Sequence, residues 1–351
     1  MSSVQVAFES QSAICTAAGA PFTGRLCRLV GERLDQGTAI GRRLLSWSGN
    51  PSHEGDALPL RLMGGLHALA RDGRHPQWAA VYPPATAPDD DTLWALLDRV
   101  LAEEGVFLDP WLDGPPQTNE VGRSAALMAG LLVLADRVQL PFALYELGAS
   151  AGLNSQLDRY GYLLGQTRAG DGASPVQLIP RWHGASPPSA EVKVVARHAV
   201  DRNPLDVRSE ATRKMLAAYV WADQLQRLER LEAALDMAAQ HPVTIDRDDA
   251  ADWLEKTLTV TSEPGVCRVA MHTIAFQYFP PEAQQRIRDH MDKVGQGATA
   301  DRPLAWLSFE ASDQGGPERR PLLKLRVWPD GGETQLAVCQ PHGAEIFWEQ
   351  D

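Results

Sequence analysis

Basic residues are the scarcer charge in this 351-residue chain: 33 Lys and Arg against 45 Asp and Glu leave a net charge of −12. That balance argues against duplex nucleic acid as a partner, which needs a basic face to displace counterions. A local basic groove is still compatible with it. Cysteine is sparse. Cys15, Cys27, Cys267 and Cys339 are scattered, lack the paired spacing of a zinc site, and read as reduced residues in or near the core. No metal is expected. No run of about 18 apolar residues occurs, so no membrane-spanning helix is expected. No basic segment followed by an apolar one opens the chain, and the expectation is a cytoplasmic protein. Gly-x-x-x-x-Gly-Lys-Ser/Thr and His-Glu-x-x-His are also missing. Kinase-like and zincin readings therefore have no support. There is no internal repeat and no low-complexity segment. A homo-oligomer is compatible with the sequence but not specified by it.

What is present is an ordinary soluble composition, 44% hydrophobic and 22% charged. Residues 1–115 carry helical stripes separated by Pro/Gly-rich loops. Leu26, Leu29, Val30 and Leu34 form one; Leu58, Leu62, Leu66 and Leu69 a second; Leu93, Leu96, Leu97, Val100 and Leu101 a third, with Asp89, Asp90 and Asp91 as capping candidates. A helical N-terminal domain is expected there. From residue 116 to 351 the rhythm changes. An apolar helix over 122–139 precedes a strand at 142–147, and further strands are expected at 192–200, 243–245, 266–273 and 304–309, with helices between them. Pro281 opens a helix with Ala283, Ile287, Met291 and Val294 on one face. Two last strands flank Pro329-Asp-Gly-Gly332, a hairpin signal. The alternation predicts an α/β fold: a doubly wound, mostly parallel sheet closed by a C-terminal β-hairpin.

The richest stretch is Pro141-Phe-Ala-Leu-Tyr-Glu-Leu-Gly-Ala-Ser-Ala-Gly-Leu-Asn154. Phe142 to Tyr145 reads as a buried parallel strand. Glu146 stands at its end, then Gly148, Ser150 and Gly152, and a helix is expected from about Ala151. Small residues let a backbone approach a ligand closely, and a helix N-terminus supplies unpaired N–H groups. A strand that breaks into such a turn is a nucleotide-binding device. The alternative is a tight turn kept for packing. The acid precedes the glycines, whereas the dinucleotide pattern has its acid about 20 residues later.

The arrangement Glu146-x-Gly148-x-Ser150-x-Gly152 resembles the first motif of class I S-adenosylmethionine-dependent methyltransferases, whose fold is Rossmann-like. Ser150 stands where many of them have the middle glycine. Gln117-Thr-Asn-Glu-Val-Gly-Arg123, Glu146 to Asn154, Tyr219-Val-Trp-Ala-Asp223 and Pro341-His-Gly343 are together similar to a bacterial family known as domain of unknown function 2332, over nearly the whole chain. Ala222 stands where proline would be expected.

The methyltransferase resemblance implies S-adenosylmethionine as cofactor, with the turn packed against its methionine part. It also implies that Asp201, after the second strand, holds the ribose hydroxyls. After the third strand, Asp249 or its neighbour Asp248 would accept from the adenine amino group. Asp249 is preferred, because it opens Asp-Ala-x-x-Trp-Leu, residues 249–254. For Asp201 the alternative is a turn role, and for Asp249 a helix cap. His272 ends the fourth strand over the carboxyl edge and is a candidate general base, or else a satisfied structural histidine. Tyr278 and Phe276 are candidates for the wall of an acceptor site. Arg123 offers a bidentate fork to the methionine carboxylate, with Asn119 and Glu120 facing the same pocket and Glu120 able to accept a proton. Its alternative is an Arg123–Glu120 staple at the helix start. The expected function is methyl transfer to a small-molecule acceptor, with the N-terminal domain shaping the acceptor pocket. A non-catalytic ligand-binding or regulatory module on the same fold is one alternative. A Rossmann-type oxidoreductase is another, disfavoured by the strand-end Glu146 and the closing hairpin.

Overall fold

The computed structural model describes residues 2–259, 263–312 and 320–350, which fall into two compact units. One takes Met1–Thr118 with Ser209–Glu229; the other takes Asn119–Arg208 with Arg230–Asp351. The first unit opens with helices α1 (Ser3–Ala17), α2 (Pro21–Arg33), α3 (Ala39–Leu45), α4 (Leu58–Asp72), α5 (Pro76–Ala79), α6 (Asp90–Glu103) and α7 (Gly105–Leu108). The three stripes read from sequence lie on α2, with Leu34 just past its end, α4 and α6; their leucines meet in one buried cluster with Phe8, Trp78 and Leu112, except Leu96, which packs half-buried against it. Asp89 caps α6, accepting from the N–H groups of Asp91 and Thr92 at 3.1 and 3.0 Å.

The second unit begins with α8 (Ser124–Val138), preceded by a short 3-10 turn, Val121–Arg123, and followed by β1 (Phe142–Leu147). Every residue of β1 is buried, as befits a strand covered on both faces. The helix expected from Ala151 does not form. In its place stands a 3-10 helix, Asn154–Arg159, interrupted at Gln156, and then the short strands β2 (Gly161–Leu164), β3 (Thr167–Gly170), β4 (Gln177–Leu178) and β5 (Arg181–His183). The reason is local. Ser150 and Gly152 hold left-handed backbone, and Gly161, Gly165 and Gly170 follow too closely for an apolar stripe to build. β6 (Val194–Asp201) comes next. Ser209–Glu229, with α9 (Glu210–Ala218) and the start of α10 (Leu225–Gln240), belongs to the first unit. The chain then continues through β7 (Ile245–Arg247), α11 (Ala250–Thr257), β8 (Cys267–Thr273), α12 (Pro281–Gly295), β9 (Leu304–Ala311), β10 (Pro321–Trp328), β11 (Gly332–Cys339) and β12 (Glu345–Trp348).

Nine strands form one sheet in the order β5-β12-β11-β10-β9-β8-β1-β6-β7, and β2, β3 and β4 form a small second sheet. β7, β6, β1, β8 and β9 run parallel. β10 and β11 turn back as the expected hairpin, and β12 pairs antiparallel with β11. The chain is thus a mixed α/β protein with a large, mostly parallel sheet. Strand order reverses at β1, with β6 and β7 to one side and β8 and β9 to the other. In open α/β sheets ligands bind outside the carboxyl ends of the strands at such a reversal. Among the described residues no helix is long and apolar enough to cross a membrane, and all four cysteines are buried and free.

The Tyr219-Val-Trp-Ala-Asp223 segment has a structural task inside the first unit. The Asp223 carboxylate accepts from the N–H groups of Phe22 and Thr23 at 2.6 and 3.0 Å and from the Thr23 hydroxyl at 2.8 Å. It therefore caps α2, whose own N-cap residue, Ala20, supplies no side-chain bond. His67 Nδ1 donates to the carbonyls of Ala218 and Val220 at 3.1 and 2.9 Å, and burial holds its pKa down at about 4. The ring is therefore neutral at physiological pH. Asp223→Ala should lower stability by about 1–3 kcal/mol, the cost of a lost cap and a lost charged hydrogen bond. Urea denaturation reads this directly, and an unchanged midpoint would remove Asp223 from the capping role.

Candidate functional site

The turn after β1 is built from three left-handed residues. Gly148, Ser150 and Gly152 have φ of +72°, +55° and +72°. Five of its N–H groups are used by the protein itself. Those of Gly148 and Ala149 donate to the Val200 carbonyl at 2.9 and 3.0 Å, and that of Gly152 to the Ala149 carbonyl at 2.7 Å. Ser150 N–H donates to Asp201 Oδ2 at 2.8 Å, and Leu153 N–H to Asn119 Oδ1 at 2.9 Å. A helix N-terminus offering bare amides is thus absent from this turn, contrary to the expectation from sequence. Gly148 is demanded by packing: a Cβ there would lie 2.6 Å from the Ala275 methyl on the loop after β8.

Below the turn lies a buried polar layer. Glu146 is 2% exposed, and its Oε2 accepts from the Ser155 hydroxyl. Burial pushes its pKa up to about 7; the Ser155 hydroxyl opposes that and the Asp201 charge adds to it. Asn154 accepts from the Ser124 hydroxyl at 2.7 Å through Oδ1. Among the described residues, Ser150 Oγ, Asn154 Nδ2 and Gln156 Oε1 are buried without a hydrogen-bond partner. Buried polar atoms are normally satisfied, so this concentration is informative.

The Gln117–Arg123 segment meets the Pro341-His-Gly343 turn. A Cβ on Gly122 would lie 2.3 Å from the His342 carbonyl oxygen. Arg123 donates to the carbonyls of Pro341 and Thr273, both at 3.1 Å, and so ties the start of α8 to the end of β8. The Glu120 carboxylate accepts from Gly122 N–H at 2.9 Å and has Arg230 and His342 each at 3.9 Å. Arg123 thus clamps two backbone carbonyls.

Asp201 ends β6 beside the turn. It accepts from Ser150 through one oxygen and from Asn203 N–H, at 2.8 Å, through the other. A carboxylate has about four lone-pair positions, so acceptor capacity remains. Asp249 caps α11, accepting from Ala251 N–H at 2.9 Å, and pairs with Arg202 at 2.7 Å. Burial works to raise its pKa, but Arg202 and the cap bonds hold it below the usual carboxylate range. Asp248 pairs with Lys256 at 3.1 Å.

His272 is 2% exposed, and both ring nitrogens are engaged. Nδ1 donates to Glu310 at 2.7 Å and Nε2 accepts from the Trp306 indole at 2.9 Å. Glu310 also accepts from the N–H groups of Ala275 and Phe276 at 3.0 and 3.1 Å. Burial works against its charge, yet these donors hold its pKa below the ordinary value. His272 and Glu310 thus fix the loop after β8, at whose end Tyr278 stands 72% exposed while Phe276 is buried. His272→Phe should lower stability by about 1–3 kcal/mol through the unpaired Glu310 and Trp306 groups. The loss should be greatest above the depressed Glu310 pKa and fade as pH falls through it, because protonation then removes the uncompensated charge. Chemical denaturation at pH 3, 5 and 7 checks this, and a loss of equal size at all three would contradict it.

The structure therefore gathers Asn119, Glu146, Ser150 and Asp201 around the end of β1, and sets Asp249 one strand further out. Asn154, Ser155 and Gln156 belong to the same layer and escape a reading by motif. Their signal is three consecutive polar residues where an amphipathic helix would need apolar ones.

Architecture and site together define an α/β protein with a reversal-point polar site and a helical unit. Its family follows: residues 5–348 match the family described as "Uncharacterized protein conserved in bacteria (DUF2332)", and the chain belongs to it. No curated protein and no solved structure matches the chain.

Proposed function

We propose that the second unit is a methyltransferase-like module that binds S-adenosylmethionine at the carboxyl ends of β1 and β6 and directs its methyl group to a small-molecule acceptor. One observation carries the reading. Asp201 ends the strand beside β1, is bonded to the turn, and keeps acceptor capacity for a pair of hydroxyls. The residues present fit the group. Asp201 would hold the ribose, the unpartnered Ser150 hydroxyl lies beside it, and Asp249 would approach the adenine by loosening its pair with Arg202. When bound, the sulfonium supplies an electrophilic methyl group. The chain's own work is then orientation and exclusion of water, with no covalent nucleophile needed. Neither His272 nor Glu120 is given a proton-transfer role. Both nitrogens of the first are bonded, and the second caps the 3-10 turn before α8.

The engagement of His272 favours a second reading, a non-catalytic module that binds the same ligand class. Melting temperature with S-adenosylmethionine, its demethylated product and the nicotinamide dinucleotides tests both. Stabilisation by the first two alone supports the cofactor assignment. Stabilisation by dinucleotides alone overturns it in favour of an oxidoreductase. Release of labelled methyl into bacterial metabolites separates enzyme from binding module.

A further inference from the structure

The end of β11 brings a second histidine to the carboxyl edge of the sheet. β8 and β9 run parallel with β1, β10 turns back on β9, and β11 turns back on β10. β11 therefore ends on the same edge as β1 and β8. The Pro341-His-Gly343 turn that follows is fixed through backbone. Arg123 donates to the Pro341 carbonyl and to the Thr273 carbonyl at the end of β8. A Cβ on Gly122 would stand 2.3 Å from the His342 carbonyl oxygen, and one on Gly343 would stand 2.3 Å from that of Gly122. Gly343 N–H donates to the Gln340 carbonyl and His342 N–H to Gln340 Oε1, both at 2.8 Å. His342 is thus carried on a rigid turn. Its Nδ1 is buried and lies 3.9 Å from Glu120 Oε2, while the side chain as a whole keeps 21% of its surface exposed. The open part of that side chain lies away from Nδ1. Glu120 is held in turn: its neighbour Asn119 accepts from Leu153 N–H at the end of the turn after β1. The other charges here are Arg230, 3.9 Å from Glu120 Oε1, and Arg123.

We propose that His342, oriented by Glu120, takes the proton of the acceptor, and that the acceptor is therefore an alcohol, phenol or amine. Such groups must lose a proton on methylation, whereas a carboxylate has none to lose. The inference rests on the methyl-transfer reading. A buried carboxylate facing one ring nitrogen, with the rest of the ring open, is the arrangement that orients a general base, and such geometry often tightens only in the reacting complex. Asp201 stands on the β6 side of the strand reversal and His342 on the β8 side, which leaves β1 between nucleotide and acceptor. The proton passes from the acceptor's O–H or N–H group to His342 Nε2 as the bond to the methyl carbon forms. The electron pair of the broken carbon–sulfur bond stays on sulfur, and water later takes the proton from the ring.

Two measurements on the full chain test it. The first is NMR titration of the histidines labelled at Cε1, with His342 assigned from His342→Gln. Glu120→Gln still accepts from Gly122 N–H but loses the charge that favours an imidazolium, so it is expected to lower the His342 midpoint by about 0.5 pH unit or more. An unchanged midpoint overturns the orienting role. The second is release of labelled methyl into bacterial metabolites. His342→Gln is expected to slow it by about 100-fold or more and to abolish its rise with pH, while calorimetry shows the demethylated product bound within about twofold of wild type. His342→Asn serves as the second variant should glutamine fail to fold. A wild-type rate in a folded His342 variant overturns the proposal. So does label freed by mild alkali, which marks a methyl ester and hence a carboxylate acceptor. If the demethylated product binds but no methyl is released, this proposal falls and the non-catalytic reading stands. If it does not bind to the wild type, the cofactor reading falls and takes this proposal with it.

Discussion

Gly148→Val should destabilise the second unit by about 3 kcal/mol or more. Two costs combine. A β-branched residue held at φ +72° carries backbone strain of about 1–3 kcal/mol. Its Cβ would also sit 2.6 Å from the Ala275 methyl, and overpacking of that kind costs about 1–3 kcal/mol more. The two can be separated. In a Gly148→Ala background, Ala275→Gly should restore the packing part and leave the backbone part. Urea denaturation measures each step, and a loss below about 0.5 kcal/mol for valine would contradict the packing account of this glycine. Weakened ligand binding in such a variant would say little, because the turn itself moves.

Glu146→Gln should have an effect of similar size and opposite sign at alkaline pH. The folded carboxyl titrates at about 7 against an ordinary 4.5, chiefly because it is buried. A raised carboxyl pKa contributes stability that is fully present below pH 4.5 and is lost as pH rises through 7. At about 1.4 kcal/mol per unit, the loss amounts to about 3 kcal/mol. Glutamine removes the titration and can still accept from the Ser155 hydroxyl. The variant should match the wild type near pH 4.5 and exceed it by up to about 3 kcal/mol at pH 8. A stability difference that stays flat from pH 4 to 8 would show that this carboxyl is not desolvated in the native state.

The sequence discloses those elements whose cause is local. Leucines at helical spacing mark α2, α4 and α6. An apolar run stopped by glycine marks β1, and Pro329-Asp-Gly-Gly332 marks the β10–β11 hairpin. What it hides depends on distant partners. The place of Ser209–Glu229 in the first unit rests on Asp223 at α2 and on Tyr219 against Gly64 and Trp111, residues far away in the chain. α1 is masked because its buried face includes Gln11 beside Val4, Phe8 and Cys15. β5 and β12 are short strands that take their place only by pairing, β12 on β11 and β5 at the edge on β12. Around the site, the acid-then-glycine motif located the turn but not its use: its amides close on Val200, Asp201 and Asn119. The lone histidine likewise looked available in sequence and is held by Glu310 and Trp306 in the fold.

The central claim is that the carboxyl edge beside β1 and β6 holds S-adenosylmethionine through Asp201. Calorimetric titration of the demethylated product into the wild type and into Asp201→Asn tests it most directly. Asparagine can still accept from the turn but loses the charge. The account predicts saturable binding to the wild type and affinity at least tenfold weaker in the folded variant, the worth of about 1.5–3 kcal/mol for a charged hydrogen bond. Absence of binding to the wild type, or equal affinity in the two proteins, would contradict it.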